Sequence, residues 1–259
     1  MASGKLTGGF AMTASDWRDR DFEDVSSYTN SNAPLWLQRF SQRMLRAAAI
    51  GLIREATGPD HPLQRAVDVG CGVGDWTRKY AEFCRHVVGI DVNQSFIQEA
   101  RRRSAAADSD RSLEFRVADG ADPQLLDGAD LICFGSVFQY MSDDRVAGTI
   151  EESGRAQQPG DVMYLRTTVV QEGESAREGD GAWYRPPEIY RQWVRSAGYD
   201  IELETLSAEL IPVDGLRRVV PGLSIDGAAH WSSTAGNLLS LLGSDDGGLQ
   251  FRNWILRRT

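Results

Sequence analysis

The chain has little of what marks several large functional classes. Only three cysteines occur, Cys71, Cys84 and Cys133, and none forms a C-x-x-C pair. That excludes a disulfide framework and a cysteine zinc ribbon, and it suits reduced packing thiols in a cytosolic protein. Lysine is confined to Lys5 and Lys79, and arginine supplies the rest of the 28 basic residues. These are outnumbered by 37 acids, for a net charge of -9. Such a balance argues against a broad phosphate-tracking surface, so nucleic acid is not an expected partner. No apolar run approaches the roughly 18 residues of a membrane span, and the N-terminus lacks a charged start followed by an apolar core. The expectation is a soluble, cytoplasmic protein without membrane contact. The three histidines form no H-x-x-H or H-E-x-x-H pattern and no carboxylate cluster accompanies them, so no metal is expected.

What is present suits one large α/β domain: 259 residues, 41% hydrophobic and 25% charged, can bury a real core. The chain is organised around Ala66-Val67-Asp68-Val69-Gly70-Cys71-Gly72-Val73-Gly74-Asp75-Trp76-Thr77. An apolar strand there ends on an acid and passes into glycines at alternate positions, which admit unusual φ values and leave the peptide bare for a ligand. Trp76 to Arg85 reads as a helix whose N-terminal NH groups point back at the turn. The dinucleotide fingerprint G-x-G-x-x-G fails in both registers, because its last glycine would fall on Asp75 or on Thr77. A phosphate loop fails too, since no lysine follows these glycines.

What remains is acid-x-Gly-x-Gly-x-Gly, and in this form the stretch resembles the first motif of the class I S-adenosylmethionine-dependent methyltransferases. The resemblance implies a seven-stranded, mostly parallel sheet with helices on both faces, its last strand inserted antiparallel between the fifth and sixth. It implies S-adenosylmethionine as cofactor and S-adenosylhomocysteine as product. Asp68, Gly70, Cys71, Gly72, Gly74 and Trp76 would form the cofactor cradle, with Cys71 a small filler rather than a nucleophile. The alternative is a glycine-rich turn with no ligand.

Residues 1–34 read as a flexible segment and flap carrying a few aromatic anchors, and 35–259 as the cofactor-binding domain. Leu35 to Ala56 has helical apolar spacing. His86 to Asp91 reads as a second buried strand, and Asp91 falls about 20 residues past the loop, where a carboxylate accepts from ribose hydroxyls. Val92 would follow along the adenine face. Asp91 as a helix-starting cap is the competing reading. Ser112 to Val117 is the third strand. The resemblance makes Asp119, beside Gly120, the acceptor for the adenine amino group, against a solvated Asp-Gly turn.

Asp130 to Tyr140 covers the fourth strand and the loop beyond it. That loop lacks the D/N-P-P-Y motif of relatives that methylate exocyclic or amide nitrogens, and it looks like the loop of small-molecule methyltransferases. Ser136 would meet the methionine part of the cofactor, and Gln139 and Tyr140 would line the transfer channel, unless Phe138 and Tyr140 only pack a helix start. Gly160 to Thr168 is a fifth strand, Gln171 to Gly181 a mobile loop, Pro186 to Ala197 a helix, Gly198 to Leu203 a sixth strand and Leu249 to Leu256 the last. The stretches Leu165-Arg166-Thr167 and Trp183 to Tyr190 are faintly similar to phosphoethanolamine and other small-amine methyltransferases. Arg166 and Tyr184 are therefore candidate substrate residues. Arg166 and Arg185 would hold an anionic group or else lie on the surface.

Residues 207–248 form an insertion far longer than an ordinary connection and read as a substrate lid. In it Trp231 would cover the substrate, and His230 is the best available general base, with Tyr140 the other catalytic candidate; a packed or surface histidine is the competing reading. The function expected is methyl transfer to an oxygen or nitrogen of a small-molecule acceptor, and a setting in secondary metabolism fits. A protein of the same fold that binds the cofactor without transferring methyl (a regulator, scaffold or cyclase), or a methyltransferase acting on protein, are the rivals. Oligomeric state is not legible.

Overall fold

The inner strands of the parallel sheet carry apolar side chains toward two covered faces, whereas the edge strand at 112–117 is mostly exposed. The structure, a computed structural model, describes residues 35–58, 63–105, 112–120, 122–170, 176–177, 182–206 and 249–259. In chain order the elements are α1 (Leu35–Thr57), β1 (Leu63–Val69), α2 (Thr77–Tyr80), β2 (Cys84–Asp91), α3 (Gln94–Ser104), β3 (Ser112–Val117), α4 (Pro123–Leu126) and β4 (Leu131–Gly135). A short 3-10 turn, Phe138–Tyr140, precedes α5 (Asp143–Ala156), β5 (Val162–Val170), β6 (Ala176–Arg177), β7 (Trp183–Tyr184), α6 (Pro187–Ser196), β8 (Tyr199–Leu206) and β9 (Leu249–Arg258). Among the described residues no helix is long and apolar enough to cross a membrane.

The seven-stranded sheet has the order β3-β2-β1-β4-β5-β9-β8. β1 to β5 pair in parallel, and β9 lies antiparallel between β5 and β8. This is the class I methyltransferase arrangement that the glycine motif implies. The strand order reverses between β1 and β4, and in open α/β sheets that reversal opens a crevice beyond the carboxyl ends of the strands.

One face of the sheet carries Ala66, Val87, Leu131, Cys133 and Tyr164 against Ala49 and Ile53 of α1 and Tyr80 of α2. The opposite face carries Val67, Val69, Ile90, Phe134 and Leu165 against α4, α5 and α6. Arg257 near the C-terminus makes a two-point pair with Glu202 and donates to the Ala56 carbonyl at 2.7 Å, tying the end of α1 to the sheet edge.

Three expectations change. The helix after the glycine turn is only four residues long, not Trp76 to Arg85, because Cys84 and its neighbours are drawn into parallel pairing with Leu63 and the rest of β1. Its short length leaves little helix dipole to aim at the turn. The stretch read as a loop at 171–181 holds Ala176–Arg177, which pair antiparallel with Trp183–Tyr184. β8 and β9 run past their expected ends, to Leu206 and Arg258, because each supplies the other's hydrogen bonds. The flap at 1–34 and the lid at 207–248 lie outside the described residues.

Candidate functional site

The glycine turn is laid across the end of β2: the NH groups of Gly70 and Cys71 both donate to the Ile90 carbonyl, at 2.8 and 3.0 Å. Gly70, Gly72 and Gly74 have φ of 71°, 54° and 76°, the left-handed region where a Cβ is strained. Their surroundings differ. A Cβ on Gly70 would lie 2.9 Å from Val137, and one on Gly74 would lie 2.6 Å from the Phe115 ring. At Gly72 nothing stands within 4 Å. Two of the three glycines thus serve internal packing, and Gly72 alone leaves bare peptide facing open space.

Asp91 sits beside that opening. Its Oδ2 accepts from the Gly72 NH at 2.9 Å, and its Oδ1 accepts from the Asn93 NH at 2.9 Å. Burial pushes its carboxyl pKa up, and the NH groups of Asn93, Gly72 and Val92 hold it back. The cap of α3 is Asn93, whose side chain accepts from the Phe96 NH at 3.1 Å, so Asp91 is not needed for that role. An asparagine just before an apolar-periodic run is a start signal available in the sequence. Val92 is half-buried next to Asp91.

Asp68 is buried on the α1 face, where it accepts from the Thr77 hydroxyl at 2.6 Å. Burial is the main cause that lifts its pKa to about 7; the Thr77 hydrogen bond opposes, the Asp91 charge adds to the rise and Arg166 opposes it. Cys71 packs with Ile97, Ala100 and Phe115, and burial raises its thiol pKa well above the ordinary range, so it is a filler. Trp76 stacks on Tyr164, and the Arg166 guanidinium lies 5.0 Å over the Trp76 ring. Asp75 at the outer edge of the turn pairs with Arg46 of α1, Arg78 of α2 and Arg103 of α3, which ties three helices to the turn.

Opposite the turn, Ser136 follows β4 with φ of 60°, a strained value for a residue with a side chain, and its NH donates to the Arg166 carbonyl at 2.7 Å. Gln139 is buried and accepts from the Thr167 hydroxyl at 3.3 Å. Phe138 packs on Phe134 with ring centroids 4.5 Å apart, and Tyr140 packs against Val170, Ala182 and Tyr184. Asp119 is ion-paired with Arg145, both side chains near two-fifths exposed at 40% and 43%. Gly120 approaches β1 so closely that a Cβ would lie 2.3 Å from Val69 Cγ1.

The surface reading of the two arginines is corrected. Arg166 and Arg185 are both buried, and Arg185 completely so. The Arg185 guanidinium is spent inside the protein: Nε donates to Asp143 at 2.8 Å, Nη1 to the Phe138 carbonyl at 2.9 Å and Nη2 to the Met141 carbonyl. It cannot also hold a substrate anion. Nothing local in the sequence announces this clamp, nor the bond of Thr77 to Asp68, since each joins residues across a turn or across distant elements. His230 and Trp231 lie outside the described residues. Among the described residues no group of three or more His, Cys, Asp or Glu is placed to hold a metal ion.

Comparison with known proteins agrees with this geometry. Residues 66–160 match the family described as Methyltransferase domain. Phosphoethanolamine N-methyltransferase 1 of Triticum aestivum is 23% identical over 158 residues, which are 59% of this chain and 31% of that protein. Malonyl-[acyl-carrier protein] O-methyltransferase of Serratia marcescens is 32% identical over 127 residues, 49% of this chain and 46% of that protein. The matched stretch spans less than half the length of either relative. Magnesium protoporphyrin IX methyltransferase from Synechocystis PCC 6803, solved with bound S-adenosylmethionine, superposes with a TM-score of 0.63 over 94% of each chain at 12% identity, a likeness of fold. Residues 66–160 thus match a methyltransferase domain, and the strand order is that of the class I S-adenosylmethionine-dependent methyltransferase fold.

Proposed function

We propose that this chain binds S-adenosylmethionine in the crevice at Gly72 and transfers its methyl group to an oxygen or nitrogen of a small-molecule acceptor, releasing S-adenosylhomocysteine. The observation that carries the reading is the bare, positive-φ peptide at Gly72 with the Asp91 carboxylate hydrogen-bonded at its edge. A ribose needs that pairing of open backbone and carboxylate acceptor. When bound, the cofactor supplies an electrophilic methyl on a sulfur that departs neutral, so no acid is required on the leaving side.

The work left to the protein is alignment, exclusion of water and, for a hydroxyl acceptor, removal of a proton. The cofactor cradle is assigned to Asp68, Gly70, Cys71, Gly72, Gly74, Trp76, Asp91, Val92, Asp119, Gly120 and Ser136. Gln139, Arg166, Tyr184 and Trp231 are assigned to the acceptor, and His230 or Tyr140 to the proton. The relatives include both an N- and an O-methyltransferase, which supports a small nucleophile without choosing between the two atoms.

Two measurements test the reading. Calorimetry with S-adenosylmethionine and S-adenosylhomocysteine is expected to show saturable binding of both; no binding of either overturns it. Release of S-adenosylhomocysteine across a panel of small amines, phenols and carboxylic acids then separates an enzyme from a protein that only binds the cofactor. For His230→Ala, loss of the acid-side limb of the rate against pH is expected with a hydroxyl acceptor, since a general base acts only when deprotonated. An unchanged profile removes His230 from the proton role.

A further inference from the structure

The loop after β4 stands directly across from the glycine turn: Val137 lies so near Gly70 that a Cβ there would come within 2.9 Å of it. Gln139 follows two residues later, in the 3-10 turn beyond the carboxyl end of β4. Arg185 fixes the backbone on both sides of it, through the Phe138 carbonyl at 2.9 Å and the Met141 carbonyl. The same guanidinium begins a run of hydrogen bonds that ends on the Gln139 side chain. Arg185 Nη1 donates to the Tyr190 hydroxyl of α6 at 3.4 Å, Tyr190 is hydrogen-bonded to Thr167 of β5, and the Thr167 hydroxyl donates to Gln139 Oε1 at 3.3 Å. All four side chains are buried.

The run has one direction. A guanidinium only donates, so the Tyr190 oxygen accepts from it, and the Tyr190 hydrogen then needs another oxygen in a dry interior. Thr167 Oγ1 is that oxygen. Burial raises the Tyr190 pKa, with Arg185 opposing, so the hydroxyl keeps its hydrogen near neutral pH. Thr167, having accepted one hydrogen, passes its own to the carboxamide oxygen of Gln139; the Thr168 carbonyl lies farther off, at 3.5 Å. The Gln139 oxygen is thereby held toward β5 and its NH2 is turned away. Among the described residues that nitrogen donates to none.

We propose that Gln139 is a fixed donor to the methyl acceptor, so that the crevice selects acceptors carrying a carbonyl or carboxylate oxygen beside the nucleophile, with Thr167 and Tyr190 as the positioning residues that keep the carboxamide from flipping. This rests on the methyl-transfer reading above. A carboxamide turned by 180° has almost the same shape but exchanges donor for acceptor, and it would then favour an ammonium or hydroxyl at the same point. The hydroxyl relay rules that arrangement out. Discrimination follows because an acceptor without the oxygen leaves a desolvated donor unpaired.

The test sorts small phenols and amines into matched pairs, 2-hydroxybenzoate with phenol and 2-aminobenzoate with aniline, and measures kcat and KM by release of S-adenosylhomocysteine. In the wild type the carboxylate member of a pair is expected to be favoured about tenfold or more in kcat/KM. Gln139→Glu can only accept at that point, so the preference is expected to vanish or reverse. Thr167→Val frees the carboxamide and is expected to lower the preference about fivefold through KM, with S-adenosylmethionine affinity within about twofold and Thr167→Ser restoring the wild-type ratio. A merely structural role would lower both members of a pair alike. A preference unchanged by both Gln139→Glu and Thr167→Val, while S-adenosylmethionine still binds, overturns this inference and leaves the cofactor reading intact. Absence of turnover throughout overturns the transfer reading and this inference with it. The relay is also read without turnover, in protein labelled with nitrogen-15 glutamine and saturated with S-adenosylhomocysteine. There the Gln139 NH2 resonance, identified by its loss in Gln139→Glu, is expected to move in Thr167→Val and in Tyr190→Phe. A resonance unmoved in both overturns the proposal.

Discussion

The two walls of the crevice are held by opposite means. The glycine turn is a local construction, in which three alternate glycines adopt left-handed φ values and two successive NH groups share one carbonyl of the next strand. The loop after β4 has local bonds of its own, from the Tyr140 NH to the Val137 carbonyl at 3.1 Å and from the Met141 NH to the Phe138 carbonyl at 3.2 Å, but it is anchored to the rest of the fold at long range. Its 3-10 turn is fastened by the guanidinium of Arg185, which reaches the Phe138 carbonyl, 47 residues earlier in the chain, and the Met141 carbonyl, 44 earlier. One wall is written in a short motif and the other is assembled by a long-range contact. The glycine wall therefore reads readily from sequence, and the wall after β4 does not.

The largest effect expected is on the assembled wall. Arg185→Met strands two buried carbonyls and the partner of Asp143, which should cost about 4 kcal/mol of stability by thermal or denaturant unfolding. A loss under about 1 kcal/mol would mean that the loop holds itself and that the contrast is false. Next come two glycine substitutions that separate packing from ligand access within the turn. Gly74→Ala places a methyl 2.6 Å from the Phe115 ring at φ of 76° and should cost about 3 kcal/mol. Gly72→Ala meets open space, so it should cost only about 1 kcal/mol in stability while sharply weakening S-adenosylmethionine binding. Equal losses of stability at the two positions would show that φ alone matters.

Smaller again, Asp91→Ala is expected to weaken S-adenosylmethionine binding by roughly tenfold or more, read by calorimetry, because a ribose acceptor is lost. Unchanged affinity would remove Asp91 from the cradle. The smallest effect expected is that of Arg145→Ala, which breaks a half-exposed ion pair with Asp119 and should change stability by about 0.5 kcal/mol or less. A measurable change in cofactor affinity instead would show that Arg145 holds Asp119 in place for adenine.

How much was legible follows the same division. β4 and β5 are runs of apolar residues and β1 and β2 contain such runs, and short runs of that kind announce buried parallel strands before any contact is known. The resemblance of the motif at Asp68 to Gly74 then implies where β9 must insert, and it does insert between β5 and β8. Asp91 was legible from its distance along the chain. The length of α2 was not, because the pairing of Cys84 with Leu63 decides where the helix must stop. Arg166 and Arg185 were misplaced on the surface for a related reason. Composition says that arginine prefers water, and it is silent about a backbone turn elsewhere that needs donors in a dry interior.

By itself the sequence determined the class of fold, the glycine turn and the acid that ends the next strand, since each depends on residues close together in the chain whose conformational limits act locally. Tertiary structure alone decided that Gly70 and Gly74 pack against side chains while Gly72 stays open, that Thr77 satisfies Asp68, and that Arg185 fastens the loop after β4. Those outcomes depend on which distant groups meet in a water-free interior, where every polar group needs a partner and every added atom needs room.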